Sequence, residues 1–183
     1  MILADGGSTD GTADLARGWC DRVVSAPRGR ATQMNAGARE ARGDVLVFLH
    51  ADTRLPPDAD ELIRGVWGRF DVRIDGSHPL LKVVAWSMNL RSRLTGIATG
   101  DQAIFVRRDA FTGFPELPLM EDVAFSKAMK RRARPNCLRA KVVTSGRRWE
   151  ARGVLRTILL MWRLRAMYAM GASPAELARR YER

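Results

Sequence analysis

The chain alternates short apolar runs with longer stretches of mixed polarity. Runs near 2–4, 22–26, 45–50, 81–86, 103–107 and 141–145 read as strands, and stretches near 10–18, 30–41, 58–69, 121–132, 153–170 and 174–182 have apolar residues spaced for helices. Alternation of this kind predicts an α/β fold with a mainly parallel central sheet, flanking helices and a C-terminal amphipathic helical segment. Val45 to Leu49 is uninterrupted apolar sequence, as expected of a central strand covered on both faces. Arg30, Met34, Gly37 and Ala41 share one helix face, and the small Gly37 lets that helix approach the sheet.

Polar residues gather where the predicted strands end. Asp5-Gly6-Gly7-Ser8-Thr9-Asp10-Gly11-Thr12 follows Met1-Ile2-Leu3-Ala4, so an acid sits at a strand's carboxyl end, with Ser8 and Thr9 as natural helix N-caps. Ligands of open α/β sheets bind at such edges, and Asp5 suits a ribose hydroxyl or a base N–H better than a phosphate. An ordinary strand-to-helix turn uses the same residue types. The second strand end carries His50 and Asp52, two residues apart and therefore on one side, a spacing that suits a hard divalent cation held against phosphate oxygens. The plainer alternative is a capping Asp52 before Leu55-Pro56-Pro57. Glu121 and Asp122 open a helix whose apolar face includes Phe125, Ala128 and Met129; as a bare pair, two acids at the positive end of a helix dipole explain them equally well.

The order DGGSTDGT, GRATQMNAGA, LVFLHADT and a downstream Glu-Asp pair resembles the inverting family-2 glycosyltransferases of GT-A fold, the nucleotide-diphospho-sugar transferase fold, over nearly the whole chain. HADT and TSGRRWE are similar to a bacterial subgroup associated with radical-SAM and selenodomain proteins. The resemblance implies that Asp5, with Gly7 and Ser8 of its loop, contacts the base side of a nucleoside-diphosphate sugar. It also implies that Asp52 is the last carboxylate of a DxD motif binding Mn(II) or Mg(II) with the diphosphate, and that Asp122 is the catalytic base, with Glu121 positioning the acceptor or the loop. His50 stands where the motif's first Asp would be; imidazole can ligate Mn(II) or hydrogen-bond a phosphate. Family members begin with a further strand and helix upstream of the DGGSTDGT loop, so the resemblance leads us to expect that portion to be missing here.

Other candidates take their roles from this frame. Arg30 is expected to reach the nucleotide or its phosphates or else to be a surface charge, and Gln33 and Asn35 complete its polar cluster. Asp101 and Gln102, in the loop from Thr95 to Ala103, would hydrogen-bond sugar or acceptor hydroxyls. Arg147, Arg148 and Trp149 would neutralise the departing diphosphate and wall the site. Arg148-Trp149 is similar to the end of the QxxRW element of processive relatives, but Ser145 stands where Gln would, so no polymerising activity is inferred.

Charge changes the picture of the last third. Residues 1–122 carry 15 Lys and Arg against 17 Asp and Glu, residues 123–183 carry 16 against 3, and the net charge is +11. Such a surface attracts polyanions: a sugar-nucleotide diphosphate, an anionic membrane face or nucleic acid. No nucleic-acid module is recognisable, and Phe125, Trp149, Trp162, Tyr168 and Tyr181 form no stacking motif, which disfavours nucleic acid. In helix 153–170 the largely apolar sequence is striped with arginines, Arg152 (just before it), Arg156 and Arg163, which fits either core packing or a membrane-surface helix with snorkelling arginines. The chain divides into residues 1–150, a GT-A-like catalytic domain incomplete at its amino end, and 151–183, a basic helical extension packed on it or on a membrane.

Of the 183 residues, 46% are hydrophobic, enough for a core, and Cys20 and Cys137 are too few for a disulfide framework. No run of about 18 uncharged apolar residues is present, nor a basic-then-apolar leader. The location expected is cytoplasmic, with the inner face of the cell membrane as a peripheral site. The reading is an inverting, metal-dependent glycosyltransferase using a nucleoside-diphosphate sugar, UDP first among them, and a hydroxyl acceptor that lipid carriers would suit. Rivals are a nucleotidyltransferase, which would need a Gly-rich loop followed by a basic residue on its first strand, a basic nucleic-acid-binding protein, and a noncatalytic or truncated remnant.

Overall fold

The computed structural model describes residues 1–182. Seven strands form in chain order: β1 (Ile2–Asp5), β2 (Arg22–Ser25), β3 (Val45–Phe48), β4 (Thr53–Arg54), β5 (Trp67–Asp75), β6 (Ile104–Arg107) and β7 (Asn136–Ser145). The helices are α1 (Thr12–Ala16), α2 (Arg30–Glu40), α3 (Ala59–Leu62), α4 (Leu80–Thr95), α5 (Glu121–Lys130), α6 (Arg147–Arg152), α7 (Val154–Ala169) and α8 (Pro174–Glu182). Two elements differ in kind from the sequence expectation. The run at 81–86 lies in α4, where Leu81, Val84, Ala85 and Ser92 are buried at helical spacing despite the β-branched valines. The helix expected over 58–69 is the single turn α3, after which the chain extends into β5.

β5 explains its own misreading. Phe70, Val72 and Ile74 alternate with Arg69, Asp71 and Arg73, the period of a strand with one face in the core, and both faces of its first half are buried. The buried Arg69 donates to Ser92 Oγ at 2.9 Å and to the Asn89 carbonyl at 3.1 Å, and pairs with Asp71, so its charge is satisfied. Asp71 also pairs with Arg93 at 2.7 Å, which fastens β5 to α4. Gly68 runs so close to the Asn136 carbonyl that a Cβ there would collide with backbone.

The expectation of a mainly parallel sheet is corrected. β1 and β2 pair in parallel as a small sheet of their own, with Ile2 opposite Arg22 and Asp5 opposite Ser25. The other five strands lie in the order β3-β6-β5-β7-β4, and only β5 and β7 are parallel; β6 is antiparallel to both β3 and β5, and β4 to β7. The connection from β5 to β6 carries the whole of α4 and is long enough for a parallel crossover, so chain length does not dictate the direction of β6; its antiparallel pairing with β3 and β5 does. The fold is therefore α/β with a mixed sheet.

Helix α2 packs Met34, Ala38 and Ala41 against a core that includes Leu46, Trp67, Ile104, Val106, Phe114 and Phe125. The other side of the sheet packs Phe70, Val72, Ile74 and Val142 against Leu81, Val84 and Ala85 of α4 and Val154 of α7. A third cluster joins Leu164 of α7 and Leu177 of α8 to Leu119, Met120 and Val123, so the C-terminal helices rest on the start of α5. Among the described residues β1 pairs only with β2 and β3 only with β6, and both strands border one cleft of about 2130 Å³. Among the described residues no helix is long and apolar enough to cross a membrane.

Candidate functional site

The cleft passes from β1 and β3 to the groove between α4 and α7, and it gathers residues far apart in sequence. Arg30, His50, Asp52, Asp101, Glu121, Asp122, Arg148 and Trp149 all line it. Arg30 opens α2, His50 and Asp52 follow β3, Asp101 lies in a 3-10 turn over Gly100–Gln102, the two acids begin α5, and Arg148 and Trp149 belong to α6.

The acids form a connected group. His50 Nδ1 stands 3.4 Å from Asp101 Oδ1, and Gly100 is pressed so near the imidazole that a Cβ there would lie 2.5 Å from Nε2. Burial works against ionisation of Asp101, but the His50 contact and the charges of Arg30 and Arg148 together hold its carboxyl below the usual range. Asp122 accepts from the Gly100 N–H at 3.1 Å and from the Val123 N–H at 2.7 Å. Burial pushes its carboxyl above the ordinary value in spite of those two hydrogen bonds. Glu121, 3% exposed, is pushed up by burial and then by Asp122, with Arg30 opposing at 3.7 Å. Met120, immediately before the pair, has φ 69°, a left-handed conformation that a buried side chain adopts at a cost of roughly 1–2 kcal/mol. That kink turns the chain so that α5 begins with both acids at the cleft.

Of the other candidates, Gln33 lines the cleft and donates to the Ala4 carbonyl at 3.0 Å, and the rest lie off it. Asp5 is engaged by its own loop: it accepts from Ser8 Oγ at 2.5 Å and from the Gly7 and Ser8 N–H groups at 3.0 Å, and these bonds lower its pKa, the Ser8 hydroxyl most. Gly7 has φ 84°, the left-handed turn that wraps the loop around the carboxylate. Asn35 clamps Phe114 through both its amide atoms, at 2.9 and 2.8 Å, and Gln102, wholly buried, accepts from the Thr99 N–H at 3.2 Å and donates to Asn89 at 3.3 Å. Arg147 is exposed. In Asn35 and Gln102 the amide serves the backbone, which a polar residue in a motif does not reveal.

Residues 1–79 match the family model described as Glycosyl transferase family 2. The match supports glycosyl transfer as the reaction class. It takes in Asp5, Arg30, His50 and Asp52 and stops short of Asp101, Asp122 and Arg148. No curated protein and no solved structure matches the chain.

Among the described residues no group of three or more His, Cys, Asp and Glu side chains is disposed to hold a metal ion. Asp52 is exposed and accepts a long hydrogen bond from the Thr53 hydroxyl at 3.4 Å, so its carboxylate has oxygen lone pairs to offer. His50 is engaged by Asp101. The donor set therefore fits a hard cation that takes one protein carboxylate and completes its shell with phosphate and water.

Sequence reasoning passed over two cleft residues. Tyr181 of α8 receives a hydrogen bond from Arg148 at 3.4 Å and stacks under Arg152, whose guanidinium carbon is 5.3 Å from the ring centre. Arg91 lay beyond a run read as a strand; helical spacing of Leu81, Val84, Ala85 and Ser92 was the signal available.

Proposed function

We propose that the protein is an inverting glycosyltransferase that moves a sugar from a nucleoside-diphosphate sugar, with UDP as the first candidate nucleotide, to a hydroxyl acceptor carried on a lipid-like molecule. The observation that carries this reading is the convergence of Asp52, Asp101, Glu121, Asp122, Arg30 and Arg148 on one cleft, in a chain whose first 79 residues match the glycosyl transferase family.

In this reading the acceptor oxygen attacks the anomeric carbon opposite the leaving group. The new C–O bond forms as the bond to the diphosphate breaks, the electron pair leaves with the diphosphate, and the hydroxyl proton passes to Asp122. The raised pKa of Asp122 makes it a stronger base than an exposed carboxylate. Glu121, held toward Arg30, fixes the start of α5. Arg30 and Arg148 line the same cleft and would offset negative charge on the departing diphosphate, with Trp149 walling that side. Asp101, paired with His50, is available to donor or acceptor hydroxyls. Mn(II) or Mg(II) held by Asp52 would neutralise diphosphate oxygens. Asp5 steadies the first loop in this account, and its contact with the base would use lone pairs left free by Gly7 and Ser8.

The open edges of β1 and β3 and the self-satisfied Asp5 favour a second reading, a noncatalytic remnant of a glycosyltransferase that does not transfer sugar. Release of UDP from UDP-sugars in the presence of alkyl-chain alcohols separates the two. Transfer that disappears in Asp122→Asn supports the first reading; tight UDP binding with no release under any acceptor supports the second.

A further inference from the structure

Arg91 of α4 lines the cleft, and its Nε and Nη2 are buried with no hydrogen-bond partner, a condition shared by no other side-chain atom among the described residues. Each such orphaned donor costs about 1–3 kcal/mol, more on a charged group, and native proteins keep one where something outside the chain completes it. Arg69, on the neighbouring strand, shows the contrast, since its buried guanidinium is satisfied by Ser92, Asn89 and Asp71. Nε and Nη2 are the two nitrogens whose N–H bonds run parallel, the edge that receives both oxygens of a phosphate or carboxylate. Arg91 is only partly buried as a residue, and its long side chain can swing this edge into the cleft it already borders.

Its place separates it from the cations of the donor side. Arg30 opens α2 and Arg148 lies in α6, whereas Arg91 sits on α4 at another wall of the cleft. Asp122 feels the charge of both Arg30 and Arg91. Beyond Arg91 the wall turns apolar, with Val84 and Met88 of α4 facing the same cleft as Ile158, Met161 and Trp162 of α7.

We infer that Arg91 is the anion-recognition residue of the acceptor subsite, and that the acceptor is an amphiphile with an oxyanion, phosphate or carboxylate, near its reacting hydroxyl and an apolar chain along the α4–α7 wall. The inference rests on the glycosyltransferase reading. The oxyanion docks on the guanidinium and the chain covers Met88 and Trp162, which leaves the hydroxyl beside Asp122.

Calorimetric titration of the full chain with octyl phosphate, octanoate, 1-octanol and inorganic phosphate tests it, with UDP titrated in parallel. The wild type should bind octyl phosphate or octanoate roughly tenfold or more tighter than octanol or inorganic phosphate, and the stronger of the two names the oxyanion. Arg91→Met should lose that advantage, keep octanol and UDP binding, and melt no lower than the wild type because an unpaired buried charge is gone. Arg91→Lys, which keeps the charge without the fork, should fall between. Undiminished octyl phosphate and octanoate binding by Arg91→Met, or no preference in the wild type, overturns the inference while UDP binding leaves the transferase reading standing. Equal loss of UDP moves Arg91 to the donor side and overturns it too. Arg91-dependent oxyanion binding in a chain that never binds UDP overturns the acceptor assignment together with the transferase reading.

Discussion

The Gly100 N–H donates to the Asp122 carboxylate at 3.1 Å, so the loop that presents Asp101 is tied to the first turn of α5. On the far side of that loop His50 closes against Asp101 and against Gly100 itself. Asp122, Gly100, Asp101 and His50 are therefore linked in one chain of contacts.

Asp122→Asn keeps the shape of that linkage and removes the base. Transfer should fall by roughly 10²–10⁴-fold with UDP affinity unchanged. Paired kinetics and calorimetry check this, and equal loss of both would count against Asp122 as the proton acceptor.

Gly100→Ala puts a methyl 2.5 Å from His50 Nε2 and forces the ring or the loop to shift, at about 1–3 kcal/mol for overpacking. Activity should fall more than stability does, because the displaced group carries Asp101. Urea unfolding beside turnover rates measures the two losses separately.

The acid limb of kcat/KM should lie above the ordinary carboxylate range, because the Asp122 carboxyl is raised by burial and the base must be ionised. Activity is lost as pH falls through that raised value. A profile of kcat/KM against pH reads it, and a limb at the ordinary Asp value would assign the base elsewhere.

Glu121 gives a stability prediction of definite sign. Its pKa is raised in the folded chain by burial and by Asp122, so the folded state holds that proton more tightly than the unfolded state. The stability this contributes is present below the unfolded pKa and is lost as pH rises through the folded one. Glu121→Gln removes this loss, so its stability relative to the wild type should climb with pH, as urea denaturation at pH 4 and pH 8 would reveal.

Much of this was legible from the sequence because the signals were local. The strand ends at Asp5 and Asp52, the helix beginning at Glu121 and the basic C-terminal helices all rest on short-range patterns, and each element formed where those patterns put it. What was not legible depends on partners distant in the chain. Val83 and Val84 favour a strand until Ser92 and Asn89 are seen meeting Arg69, and the charges of β5 mask its alternation until Asp71 is seen against Arg93. The antiparallel course of β6 is likewise a property of pairing, not of the residues from Ile104 to Arg107. Gln102 and Asn35 have polar side chains that a motif reads as ligands and the packing uses as backbone clamps.

Helix α7 buries Val154, Thr157 and Leu164 and leaves Leu155, Leu159 and Trp162 exposed beside Arg156 and Arg163. Both earlier expectations of this helix thus have a face to rest on. If the exposed face meets anionic lipid, Arg156→Gln with Arg163→Gln should weaken binding to phosphatidylserine vesicles by about 2 kcal/mol, near 1 per arginine. Sedimentation with vesicles measures it, and unchanged partition would leave the face without a membrane role.

If this cleft holds a nucleoside diphosphate through a cation on Asp52, calorimetric titration of UDP with and without Mn(II) will show it. Binding by the wild type should depend on the metal and disappear in Asp52→Ala while the variant keeps its fold. Binding indifferent to both the metal and Asp52, or no binding by the folded protein, would contradict it.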